Sequence, residues 1–189
     1  VYTICDPFIV KSGAVDKIIA LLQKKNICYH VFSEIVPDPT IEVVSKCVGN
    51  MSEFEPDTVI VLGGGSAIDT AKAACYIYEK ASQIKKLNLI AIPTTSGTGS
   101  EVTSFSVISD PEAQAKYPLR DPAMVPDIAI LDPQFTMTVP PNITADTGMD
   151  VLTHALEAYV STKAGDFTDA CAEKAISLVW NYLGMTVVD

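Results

Sequence analysis

Asp150 and His154 stand four residues apart in Gly148-Met149-Asp150-Val151-Leu152-Thr153-His154-Ala155, and His154 is one of only two histidines among 189 residues. On a helix that spacing projects both side chains from one face, about one turn apart, within reach of a single cation. A carboxylate and an imidazole suit a divalent metal, but a site held by protein alone normally takes three or four ligands. The pair therefore reads either as half a metal site or as an incidental pair on an amphipathic surface helix, whose apolar side carries Met149, Leu152, Leu156, Tyr159 and Val160. The other histidine, His30 in Tyr29-His30-Val31-Phe32, reads as a strand residue.

Two glycine-bearing segments have phosphate-binding character. Thr58-Val59-Ile60-Val61-Leu62-Gly63-Gly64-Gly65-Ser66-Ala67-Ile68-Asp69 is an apolar strand, a glycine run and a helix start. Glycines permit close backbone approach, and the N–H groups and dipole of the following helix favour an anion such as pyrophosphate. The run is neither GxGxxG, because Ile68 takes the third glycine's place, nor a P-loop. The competing reading is a tight turn in which Ser66 and Asp69 form a capping box. The second segment, Pro93-Thr94-Thr95-Ser96-Gly97-Thr98-Gly99-Ser100-Glu101, gathers hydroxyls and glycines directly after a strand, either to meet phosphate or ribose oxygens or as an ordinary polar loop.

Asp6, just past the first strand, stands where a carboxylate accepts from ribose hydroxyls and repels a 2′-phosphate, which favours NAD over NADP. It is also an Asp-Pro turn residue, and Asp38 in Pro37-Asp38-Pro39-Thr40 carries the same two readings. Lys116 is either a phosphate contact or a solvated lysine.

The elements that must position these residues alternate. Strands are expected at Tyr2–Cys5, Cys28–Phe32, Thr58–Leu62 and Leu89–Ile92, with helices near 13–25, 41–52 and 66–80. That order predicts βαβ units, a Rossmann-like α/β fold with a parallel sheet and helices on both faces, and ligand-binding loops along one edge. From Ser104 the pattern breaks into short extended runs, 105–108 and 128–131, separated by Asp110-Pro111, Asp121-Pro122 and Asp132-Pro133, which read as turns and connections. After Pro140-Pro141 two helices are expected, 145–161 and 166–183. The predicted boundary falls there, with an α/β domain at 1–139 and the beginning of an all-α domain at 140–189.

Thirteen basic against twenty-three acidic residues give a net charge of −10, which disfavours nucleic acid and anionic membrane as partners. Cys5, Cys28, Cys47, Cys75 and Cys171 are odd in number and form no CxxC, so reduced thiols in a cytoplasmic compartment are expected. No run approaches a membrane span.

The blocks at 63–69, 93–103 (Pro-Thr-Thr-Ser-Gly-Thr-Gly-Ser-Glu-Val-Thr) and 148–159 (Gly-Met-Asp-Val-Leu-Thr-His-Ala-Leu-Glu-Ala-Tyr) together resemble the iron-containing (group III) alcohol dehydrogenases. Within that family, the runs 32–40, 116–119 and 162–175 look most like the members that serve bacterial propanediol utilisation. The resemblance implies NAD(H)-dependent, metal-assisted interconversion of a short-chain primary alcohol and its aldehyde, with 1-propanol and propanal as the example. It further implies a homo-oligomer and association with a bacterial microcompartment. Asp6 would contact the adenosine ribose, Asp38 the adenine side, and Gly64, Gly65 and Ser66 the pyrophosphate. Asp69 would lie near the nicotinamide, Thr94, Thr95 and Thr98 would line the cofactor, and Phe105 and Lys116 would complete its pocket. Phe135 stands where leucine is commoner. Asp150 and His154 would be the first two ligands of Fe2+, with Zn2+ as the alternative.

By the family pattern two further histidine ligands lie downstream and an opening strand and helix upstream, and the closing run from Gly184 departs from the pattern. The expectation is a fragment of such an enzyme, with reduced or no activity. Three other readings stay open: a relative of glycerol dehydrogenase or dehydroquinate synthase, a nucleotide-binding or oligomerising module without catalysis, and a purely structural role.

Overall fold

A computed structural model of the chain describes residues 1–84 and 86–188, so Asp189, the end of the closing run, lies outside the described residues. In chain order come β1 (Tyr2–Cys5), α1 (Pro7–Lys11), α2 (Asp16–Lys24), β2 (His30–Phe32), α3 (Ile41–Phe54), β3 (Thr58–Gly63), α4 (Gly65–Ser82) and β4 (Asn88–Pro93). A hairpin of β5 (Phe105–Asp110) and β6 (Ala115–Arg120) follows, then β7 (Ile128–Ala129), α5 (Pro141–Tyr159) and α6 (Asp166–Val188). These form two compact units, Val1–Thr94 with Gly99–Phe135, and Thr95–Thr98 with Thr136–Asp189.

The first unit is built on a five-stranded sheet in the order β2-β1-β3-β4-β7, and every pairing is parallel. Side chains alternate across a strand, so neighbouring residues serve opposite faces. Tyr2 and Ile4, Val59 and Val61, and Leu89 and Ala91 pack with Val44, Cys47 and Met51 of α3 and the alanines of α4. Cys5, Leu62 and Ile92 turn the other way and pack with Ile9 and Val15, and with partly buried Ile18 and Ile19 of α2. Two covered faces explain why β3 is continuously apolar instead of alternating. His30 lies in β2, its ring stacked on Tyr2 at 5.2 Å.

The expected α/β fold with a parallel sheet is present, with three local differences. Pro7 opens a one-turn helix, which a proline at its first position favours and which the Asp-Pro turn reading did not anticipate. The run expected from 128 to 131 is a strand of only two residues. Most importantly, 105–120 is a two-stranded antiparallel hairpin, paired from Phe105↔Arg120 to Asp110↔Ala115. Pro118 sits opposite Val107, which a two-stranded ribbon tolerates because each strand has an unpaired edge.

In the second unit α5 and α6 form a helical hairpin. Gly148 permits it: a Cβ there would lie 2.3 Å from Leu183 Cδ1. Phe167, Trp180, Met185 and Val188 of α6 stay exposed. Among the described residues no helix is long and apolar enough to cross a membrane.

Candidate functional site

All five strands run parallel, so their C-terminal ends share one edge of the sheet. The chain leaves β1 towards β2 on one side, while β3 lies on the other. Loops diverge at such a reversal and open a crevice where α/β folds bind ligands. Asp6 and Gly64 flank that point, and Asp6 Oδ2 accepts a 3.1 Å hydrogen bond from the Gly64 N–H. Burial holds the Asp6 carboxyl above its ordinary range, with the Gly64 N–H opposing. Gly63 is required by packing, since a Cβ there would lie 2.4 Å from Asp6 Oδ2 and 2.6 Å from Ala67 Cβ.

Helix α4 starts at Gly65 with Gly64 extended as its N-cap, and no side chain caps it. The capping box suggested for Ser66 and Asp69 therefore does not form. The first-turn N–H groups of such a helix have no partner within the helix, so the donor chemistry here fits a pyrophosphate. Ser66 is half-buried beside them. Thr94 is buried at the end of β4, and its N–H donates to Gly63 O at 3.0 Å.

Asp69 is turned inward. One carboxylate oxygen accepts from Ser100 Oγ, and the other accepts from the Val107 N–H at 2.9 Å. With its side chain 17% exposed, its charge serves to tie α4 to the segments after β4. Beside it lies Lys72, which sequence reasoning passed over. Its side chain is wholly buried and donates to Ser100 O at 2.8 Å, Ser100 Oγ at 3.0 Å and Thr103 Oγ1 at 3.0 Å. Burial lowers its pKa to about 8 against the opposing pull of Asp69 and Glu101. The available signal was local: Lys72 follows Asp69 by three residues and is flanked by Ala71, Ala73 and Ala74, an unusual setting for a solvated lysine.

Asp38 and Lys116 meet directly, Lys116 Nζ lying 2.9 Å from Asp38 Oδ1. Asp38 holds a left-handed backbone, φ 52°, and the Ser109 N–H donates to Pro39 O, which fastens the proline-flanked turn to β5. Both charges are exposed. Phe105 is exposed at the start of β5, with the Arg120 guanidinium 5.1 Å from its ring centre. Phe135 is half-buried against the Cys5–Ile9–Leu62 cluster.

Thr95, Thr98, Asp150 and His154 belong to the second unit. There Gly97 lies against α5, where an added Cβ would meet Thr147 Cβ at 2.7 Å. On the same helix Asp150 Oδ2 and His154 Nδ1 are 3.6 Å apart, with side chains 39% and 55% exposed. Two ligands at ~2.1 Å from a tetrahedral ion stand about 3.4 Å apart, so the pair fits a shared divalent metal with little adjustment. No group of three or more His, Cys, Asp or Glu side chains suited to a metal occurs among the described residues.

Residues 1–133 match the model of the iron-containing alcohol dehydrogenases, and residues 144–189 match the C-terminal model of the Fe-containing alcohol dehydrogenase family. The chain is 54% identical over 187 residues to the 1-propanol dehydrogenase PduQ of Citrobacter freundii, covering 99% of this chain and 50% of that one. The structure of sulfoacetaldehyde reductase from Bifidobacterium kashiwanohense in complex with NAD+ superposes with a TM-score of 0.91 at 35% identity, over 100% of this chain and 53% of that one. An iron-containing alcohol dehydrogenase from Thermococcus thioreducens gives 0.91 at 32% identity, over 98% and 53%. The chain spans about half the length of the curated relatives it matches.

Proposed function

The chain belongs to the iron-containing alcohol dehydrogenase family, and from that premise we propose that it takes part in NAD-dependent interconversion of a short-chain primary alcohol and its aldehyde. 1-Propanol and propanal are the favoured pair, supported by the resemblance to the propanol dehydrogenase of Citrobacter freundii. In this reading residues up to about 139 form the dinucleotide-binding domain, and those from 140 begin a helical metal-binding domain.

The observation that carries the proposal is the uncapped N-terminus of α4 at the sheet reversal, beside the Asp6 carboxylate. Main-chain donors at Gly65 and Ser66 take the pyrophosphate, and Asp6 accepts from a ribose hydroxyl while disfavouring a 2′-phosphate. Asp38 borders the adenine side, and Phe105 and Lys116 complete the cofactor pocket. Thr94, Thr95 and Thr98 supply hydroxyls along the cofactor, and Asp69 acts from beneath by holding Ser100. Asp150 and His154 hold a divalent iron, with zinc as the alternative. When bound, the metal supplies Lewis-acid polarisation of the substrate oxygen and the nicotinamide supplies hydride exchange at the carbinol carbon.

The alternative reading is a nucleotide-binding or oligomerising module without catalysis. We further infer a cytoplasmic, homo-oligomeric protein associated with a bacterial microcompartment, on the sequence resemblance to the family members of propanediol utilisation and the likeness to the 1-propanol dehydrogenase PduQ. The test is NAD binding and propanal reduction by the purified chain, with and without Fe2+. Metal-dependent turnover supports the dehydrogenase reading. NAD binding indifferent to metal with no turnover supports the module, and no NAD binding sinks both.

A further inference from the structure

The hydroxyl-rich segment between β4 and β5 leaves the first unit at Thr94 and returns to it at Gly99. Its outgoing end is tied to β3 by the Thr94 N–H to Gly63 O hydrogen bond. Its returning end passes through a short helical turn, Ser100–Val102, that sits on α4. At that turn two α4 side chains one helical turn apart, Asp69 and Lys72, bind the returning segment. Ser100 Oγ donates its proton to Asp69 and accepts from Lys72, while Ser100 O and Thr103 Oγ1 also accept from Lys72. An ammonium has three protons and no lone pair, so three convergent acceptors match it in full.

We propose that Lys72 is a positioning residue, whose ammonium holds Ser100 and Thr103 against α4 and thereby keeps the Thr94–Ser100 loop in the single conformation that receives the cofactor. The cofactor half of this inference rests on the NAD-binding reading above, whereas the loop-holding half does not.

Packing alone does not account for a lysine here. A buried charge carries a large desolvation cost, and an apolar side chain of similar length often replaces one without loss of stability. What an apolar side chain cannot do is satisfy three acceptors on a neighbouring segment. The charged groups acting on Lys72 are Asp69 from its own helix and Glu101 from the turn, and both favour the ammonium against burial. A neutral amine offers two protons and one lone pair, so one of the three acceptors would face a lone pair instead of a proton. The hold therefore weakens as pH rises past about 8.

The experiment uses the whole chain and compares wild type with Lys72→Met and Thr103→Val, the latter removing one acceptor without disturbing the buried charge. Amide hydrogen exchange of residues 94–104 is followed from pH 6.5 to 9.5 as protection factors, beside NAD affinity by fluorescence titration. Expected is at least a tenfold loss of protection confined to that segment in Lys72→Met, a smaller loss in Thr103→Val, and in wild type a fall centred near pH 8 that is flat in Lys72→Met. NAD affinity should fall at least fivefold in the same order. Should Lys72→Met not fold, the wild-type pH profile and Thr103→Val still decide. Unchanged protection in Thr103→Val together with a pH-independent wild-type profile would overturn the positioning role. Wild type that fails to bind NAD while protection still follows Lys72 would instead overturn the cofactor reading and keep the loop-holding role.

Discussion

Asp6 Oδ2 accepts the Gly64 N–H at 3.1 Å, joining the end of the first strand to a turn 58 residues away. One carboxylate thus shapes the glycine turn and faces the crevice it helps to form. Asp6→Ala should lower stability by about 1–3 kcal/mol, because it removes a charged acceptor from a half-buried donor. Asp6→Asn keeps an acceptor and should cost less, while lowering the ratio of NAD to NADP affinity at least fivefold. Because burial raises the Asp6 carboxyl's pKa, that preference should fade on acidification sooner than an exposed aspartate would allow. Urea melts and cofactor titrations against pH check both parts.

Gly63 has no room for a methyl group on either side. Gly63→Ala should destabilise by about 1–3 kcal/mol through overpacking. Adding Ala67→Gly should recover only part of the loss, since the Asp6 contact remains. Chemical denaturation midpoints of the two variants decide this.

In α5, Gly148→Ala gains helix propensity but sets its Cβ against Leu183. The single variant should lower the melting temperature, and the same change in a Leu183→Ala background should raise it. A double-mutant cycle should give a coupling of about 1 kcal/mol or more. Additive effects would mean that the two helices do not pack this closely.

Asp150 and His154 should bind a divalent ion as a pair. Asp150→Ala and His154→Ala should each weaken Co2+ binding at least tenfold, and the double variant should lose little more, because one ligand alone holds no ion in place. Visible absorption of bound Co2+ reports this without any need for turnover. Equal binding by all variants would remove the pair from the metal-site reading.

Cys5, Cys47 and Cys75 are buried, whereas Cys28 and Cys171 are exposed. Burial pushes the Cys5 and Cys47 thiols up to about 12 from 9.0. Between these values the unfolded chain releases protons that the folded chain keeps, so stability falls as pH rises, by up to ~1.4 kcal/mol per unit for each thiol. Lys72 acts oppositely between about 8 and 10.5, where the unfolded chain holds the proton that the folded chain gives up. Cys75 is raised in the same direction, so denaturation at pH 8 to 10.5 should show a net loss that shrinks in a Cys5→Ala/Cys47→Ala variant. A thiol reagent should label Cys28 and Cys171 at once and the other three only on unfolding.

Much of the frame was legible from local pattern. Val59 to Leu62 followed by Gly63 announced a buried strand and a helix start, because a doubly covered strand is continuously apolar and a tight turn wants glycine. The hairpin of β5 and β6 was not legible. Its second strand alternates Ala115, Tyr117 and Leu119 with Lys116, Pro118 and Arg120, but the proline argues against a strand on local grounds, and its partner β5 is held against α4 from a distance along the chain. Lys72 escaped for a related reason: burial of a lysine depends on what covers the helix, and the covering segment lies some thirty residues further along the chain.

The sequence by itself determined the parallel α/β plan, the glycine turn after an apolar strand and the four-residue spacing of Asp150 and His154, since periodicity and helix geometry act over a few residues. Only the tertiary structure decided what each polar group does. Asp69 faces inward to Ser100 and Val107, Lys72 is enclosed, Asp38 meets Lys116, and Asp6 is shared with Gly64. These partners lie far apart along the chain, and hydrogen bonding and desolvation depend on proximity in space, which local patterns do not encode.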